Sequence, residues 1–141
     1  MSEPSNLHRS LCAAALMLGL FLLGGCAGPE DNAHLNDSRW RFALIDGHTP
    51  LSDAADVRFA DGEITVLVGC NRMTGPWRVN EDRLVAGPLD QTEMACPAPA
   101  WDQEKAVSAL FAATPRLEVS EDKLLLQSGG HSAELIRAAD L

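Results

Sequence analysis

The stretch VRFADGEITVLV, Val57 to Val68, constrains the fold more than any other part of the chain. It predicts a short strand around Val57 to Phe59, a turn at Asp61-Gly62 and a strand from Glu63 to Val68. An Asp-Gly pair between two such runs specifies a hairpin, because both turn residues need positive φ and these residue types adopt it at least cost. The same logic extends along the chain. WRFALI, Trp40 to Ile45, alternates so that Trp40, Phe42 and Leu44 share one face of a strand. WRVNEDRLV, Trp77 to Val85, predicts a second hairpin and LEVSEDKLLLQ, Leu117 to Gln127, a third. A last strand follows Gly129-Gly130, with Leu135 as its core residue.

One segment departs from the two-residue period. In WDQEKAVSALFAATP, Val107, Leu110, Phe111 and Thr114 recur at helical spacing, while Gln103, Lys105 and Ser108 fall on the opposite face. The pattern predicts one amphipathic helix of about three turns, begun after Pro99 and stopped by Pro115. One helix covers one opening or face of a small antiparallel sheet, so the sheet must curl to hide the rest. The expected fold is mainly β with one helix: a small, partly open antiparallel β-barrel or strongly curled sheet packed against one α-helix.

The chain has 141 residues, 20 acids against 11 Lys and Arg, and a formal charge of -9. That length holds one domain. An acidic chain whose basic residues are scattered along the sequence is repelled by a nucleic-acid backbone and by an anionic bilayer surface, so neither is expected as a partner. No Ser-His-Asp order, paired-carboxylate signature, zinc motif or glycine-rich phosphate loop is recognisable. The expectation is a protein that is not an enzyme, with no catalytic residues, no cofactor and no metal.

Ahead of the domain, a polar segment ending in His8 and Arg9 leads into LCAAALMLGLFLLGG, fifteen uncharged residues from Leu11 to Gly25. A membrane-spanning helix needs about 20 apolar residues, so the run reads as the hydrophobic part of an export signal. Leu23-Gly24-Gly25-Cys26 resembles a bacterial lipobox. By that resemblance residues 1–25 are removed and Cys26 becomes a lipid-bearing N-terminus, its acyl chains each contributing about 0.8 kcal/mol per buried methylene to membrane attachment. An ordinary secretory signal and an uncleaved anchor are the alternatives. Ala27 in place of Asp favours the outer membrane, with the domain facing the periplasm. AGPEDNAHLNDS, Ala27 to Ser38, has no periodic apolar pattern and reads as a tether, which places a flexible segment at 26–38 and the domain at 39–138.

On this reading Cys12 leaves with the leader and Cys26 carries lipid, so Cys70 and Cys96 remain in an exported domain where disulfides persist. They are expected to pair. A metal site would need further ligands, and none of His34, His48 and His131 stands at ligand-like spacing from either cysteine. A cysteine nucleophile would need a base that no signature supplies.

VGCNRMTGPW, Val68 to Trp77, then GPLDQTEMACP and a helical Glu104, resembles the META/HslJ-like domain family of small bacterial envelope proteins. The features carrying the resemblance are Trp40 in a first strand; Gly69, Cys70, Asn71 and Arg72 followed by Gly75 and Trp77; and Thr92, Met94 and Cys96 ahead of Glu104. Pro76 and Glu93 depart from the usual pattern. The family has no established catalytic chemistry, and its founding member is associated with heat induction and novobiocin resistance. The resemblance therefore implies an envelope lipoprotein with a stress-response, antibiotic-tolerance or accessory interaction role. The alternative is a carrier or sensor of a small apolar or amphipathic ligand in the barrel mouth. From chemistry alone, Asn71 is expected to bond its own backbone two residues on, and Arg72 to pair with Glu104 or Asp90.

Overall fold

The structure is a computed structural model that describes residues 29–139. The leader, the lipobox and Cys26 lie outside the described residues. The elements run α1 (Pro29–Leu35), β1 (Ser38–Ile45), β2 (Asp56–Ala60), β3 (Glu63–Val68), β4 (Asn71–Asn80), β5 (Arg83–Ala86), β6 (Asp90–Gln91), α2 (Ala98–Ala112), β7 (Arg116–Val119), β8 (Lys123–Ser128) and β9 (His131–Arg137).

All three expected hairpins form, and the first turns on Asp61 and Gly62 at φ 53° and 76°. The expected mainly β fold, a barrel or strongly curled sheet with one packed helix, is present, and its sheet closes on itself. Antiparallel pairing runs β3-β2-β1-β9-β8-β7-β5-β4, and β3 then pairs with β4 from Glu63↔Pro76 to Val68↔Asn71, completing an eight-strand barrel on which β6 hangs beside β4. The narrowest seam is β5 to β7, a single registered pair at Arg83↔Arg116. Backbone bonds from Leu84 N–H to Pro115 C=O (3.0 Å) and from Leu117 N–H to Asp82 C=O (2.7 Å) flank it.

Eight strands enclose a space that side chains alone fill. Trp40, Phe59, Ile64, Met73, Leu84, Leu124, Leu126 and Leu135 are buried there with Val107, Leu110 and Phe111 of α2 in one apolar cluster. The helix touches β1, β3, β5, β8 and β9, strands drawn from around the barrel, and so lies across one opening. It is longer than expected, with 15 residues beginning at Ala98. Pro99 falls in its first turn, where a missing N–H costs no helical bond. Thr114 is not on its buried face. The helix has ended by then, Thr114 has φ 45° and is exposed, and Glu104 occupies the buried stripe instead.

Two other expectations are corrected. Part of the presumed tether is helix α1, because Leu35 is fully buried in the core and the Ser38 hydroxyl, which also accepts from Trp40 Nε1–H (2.7 Å), donates to the Leu35 carbonyl. In β1 a bulge between Phe42 and Leu44 reverses the alternation, so Ile45 and not Leu44 joins Trp40 and Phe42 inside.

Beyond the bulge, Asp46 ties the end of β1 to the start of β9. Its carboxylate accepts the Ser132 N–H and faces His131 Nδ1, both at 2.8 Å. Burial alone would raise its pKa, but the His131 hydrogen bond, the Ser132 N–H and the charges of His131 and His48 outweigh burial and hold the carboxyl below its ordinary 3.8. A carboxyl depressed in the folded state adds stability that is complete above its unfolded pKa and disappears as pH falls through the folded value. Urea midpoints measured against pH should therefore show Asp46→Asn less stable than the parent above about pH 4, with the gap closing at lower pH. A gap independent of pH would contradict this.

Candidate functional site

The turn from β3 into β4 rests on α2. Gly69, at φ 62°, leaves no room for a side chain: an added Cβ would stand 2.8 Å from the Ala100 carbonyl and 2.9 Å from Glu104 Oε2. Cys70 follows and is bonded to Cys96, the two Cα atoms 5.7 Å apart. The expected disulfide is present. It fastens the segment between β6 and α2 to the barrel.

Asn71, the first residue of β4 and 4% exposed, lies beneath that segment. Its Nδ2 donates to both oxygens of Glu104 (2.9 and 3.0 Å) and to the Met94 carbonyl (3.1 Å). Its Oδ1 accepts from the Thr92 hydroxyl (2.9 Å) and from Met94 N–H (2.7 Å). Gln91 Nε2 donates to Glu104 Oε1 at 2.5 Å. Glu104, 3% exposed, thus has both oxygens engaged by amides, with no cation paired to it among the described residues. Cys96 Sγ is 3.8 Å from Oε2, but a disulfide sulfur carries no hydrogen and donates nothing. A carboxylate so deeply buried requires such donors.

The expected partnerships are thereby reassigned. Asn71 bonds residues 21 and 23 positions away rather than its own strand. Arg72 pairs with neither Glu104 nor Asp90. Strand alternation turns Asn71 and Met73 inward and Arg72 outward, so the guanidinium lies on the opposite face of the sheet from the carboxylate. The Arg72 backbone still takes part, exchanging bonds with Thr92 Oγ1 (3.0 Å) and Thr92 N–H (3.1 Å).

Among the other signature residues, Gly75 passes so close to Pro88 that a Cβ would collide with its carbonyl oxygen. Trp40 is buried, with Arg137 over its ring at 4.3 Å. Trp77 is half-buried and meets Phe59 edge-on at 4.8 Å. Met94 is 64% exposed and Trp101 51% exposed, and both border an open depression of about 660 Å³ above the Asn71–Glu104 network. Gln91 was missed from sequence. Its position directly before Thr92 and the motif's cysteine segment was the available signal.

The META domain family model matches residues 33–140. The chain belongs to the META domain family. Solved structures similar to it include two. One, an NMR structure, is 19% identical with a TM-score of 0.65, covering 74% of this chain and 92% of its own. The other, an NMR structure of a protein from Burkholderia xenovorans, is 17% identical with a TM-score of 0.63, covering 97% and 99%. At such identities the likeness concerns the fold alone. No curated protein matches. In this META domain the signature residues Gly69, Cys70, Asn71, Thr92, Met94, Cys96 and Glu104 meet in one cluster, while Trp40 lies in the core, Trp77 packs against it and Gly75 abuts Pro88.

Proposed function

We propose that this META domain is a non-enzymatic lipoprotein of the bacterial envelope, held at the outer membrane by a lipid on Cys26, with an accessory role in stress or antibiotic tolerance exercised through contact with another envelope protein. The observation that carries the reading is the pairing of a filled barrel with an exposed apolar site. The interior is occupied by side chains and α2 lies across an opening, which favours an interaction surface over a ligand carrier. Met94 stands on the segment fixed by a disulfide and by the Asn71 hydrogen bonds, and Trp101, with Lys105 over its ring at 4.2 Å, borders the same depression from the first turn of α2. A solvent-exposed Trp bordering the same depression as an exposed Met is the composition of an interface anchor. The disulfide supports export to an oxidising compartment. Glu104, with both oxygens engaged, is better placed to hold structure than to transfer protons.

The test is photocrosslinking in living cells with a reactive residue at Met94 or, as a control on the barrel wall, at Glu118. A discrete protein adduct from position 94, lost with Trp101→Ala and absent from position 118, is expected. Equal labelling from both positions, or none from 94, would refute the interaction reading.

A further inference from the structure

The basic residues that are scattered along the sequence are not scattered in space. On the outer wall of the barrel, strand register sets Arg39 beside Arg58, Arg58 beside Thr65 and Thr65 beside Thr74. Two residues along, the adjoining row reads Arg41, Asp56, Leu67, Arg72. Because neighbours in register share a face and their inward counterparts Trp40, Val57, Val66 and Met73 are buried, all eight positions point outward. These eight positions hold four guanidiniums and one carboxylate on a chain whose net charge is -9, and Asp37 and Glu63 stand beside them on the same wall.

That carboxylate, Asp56, is taken by Arg39, whose Nε lies 2.6 Å from its Oδ2. Arg58 and Arg72 make no ion pair and no side-chain hydrogen bond among the described residues. Both border an open depression of about 790 Å³ whose lining also includes Thr65, Thr74 and the carboxylates of Asp37, Asp56 and Glu63. Two strands and two residues separate Arg58 from Arg72, about 12 Å between Cα atoms, a span within the reach of two arginine side chains.

We propose that this depression binds a phosphate-bearing anion, with Arg58 and Arg72 gripping it from two sides and the hydroxyls of Thr65 and Thr74 beneath it. A planar carboxylate presents one edge and suits one guanidinium fork, whereas a tetrahedral phosphate presents oxygens in several directions and accepts two. At physiological ionic strength charges are screened over about 8 Å, so the groups that decide are those lining the depression, where Arg58 and Arg72 are held by no carboxylate among the described residues. The phosphate belongs to a soluble ester or to a phospholipid headgroup.

The experiment follows amide and arginine side-chain NMR signals of the full chain in neutral detergent. One arm titrates inorganic phosphate against chloride at constant ionic strength; the other compares bicelles of phosphatidylcholine alone with bicelles containing phosphatidylglycerol. Saturable shifts centred on Arg58, Thr65, Arg72 and Thr74 are expected. Arg58→Gln with Arg72→Gln should weaken the response about tenfold or more while the Trp40 and Phe59 signals stay in place, since both arginines lie outside the core. A response to inorganic phosphate supports the soluble source, and one confined to phosphatidylglycerol supports the headgroup. No saturable response in either arm, shifts matched by chloride, or unchanged binding by the double variant would overturn the proposal.

Discussion

Asn71→Leu should destabilise the domain by about 3 kcal/mol or more, read as a lowered urea midpoint. The substitution keeps the number and branching of side-chain heavy atoms but removes the amide donating to both oxygens of Glu104. Hydrogen bonds to charged groups contribute about 1.5–3 kcal/mol, and a buried charged acceptor left short of donors adds its desolvation penalty. Gln91 alone would remain to hold that carboxyl. Thr92 and Met94 would lose their acceptor at the same time, so the segment carrying the cysteine should loosen. The interaction between the partners is tested by combining Asn71→Leu with Glu104→Leu. Removing both sides of a buried polar pair is much milder than removing one. The double variant should therefore cost about 2 kcal/mol less than the two single costs added together. Additive costs would mean that the two side chains are merely neighbours.

Replacing Cys70 and Cys96 together by Ala should cost about 3.5 kcal/mol, the loop-closure estimate for a separation of 26 residues. Against a total of about 5–15 kcal/mol for a domain of this kind, that loss is large enough to lower the urea midpoint substantially. A reductant should lower the midpoint of the parent and leave that of the double variant unmoved. The disulfide and the Asn71 amide close the same loop, so their contributions should also be non-additive when removed together. A parent whose midpoint does not respond to reduction would show that the loop is held by the hydrogen bonds alone.

What the sequence disclosed follows the range of the interactions involved. Asp61-Gly62 set its hairpin because both determinants of the turn sit within the turn. The stripe of Val107, Leu110 and Phe111 located α2 because helical periodicity is local too. The bulge that exchanges Leu44 for Ile45 depends on pairing with β9, about 90 residues further on, and no residue of β1 announces it. The parity of β4 depends on where the turn at Gly69 and Cys70 ends. A shift of one residue would send Arg72 inward in place of Asn71, which is why the wrong side chain was matched to Glu104. Closure of the sheet and the gathering of Arg39, Arg41, Arg58 and Arg72 on one wall are likewise products of register between strands. Helix α1, seven residues with Leu35 as its anchor, is held by tertiary burial rather than by any periodic pattern in its own sequence.

The proposal that this META domain works outside the cytoplasm on a lipid tether is tested most directly by the intact mass of the protein extracted from membranes. The account predicts a chain that begins at Cys26, carries a diacylglyceryl group and is two hydrogens lighter than its fully reduced form, the difference being the bond between Cys70 and Cys96. A chain retaining residues 1–25, with no lipid and every thiol free, would contradict it.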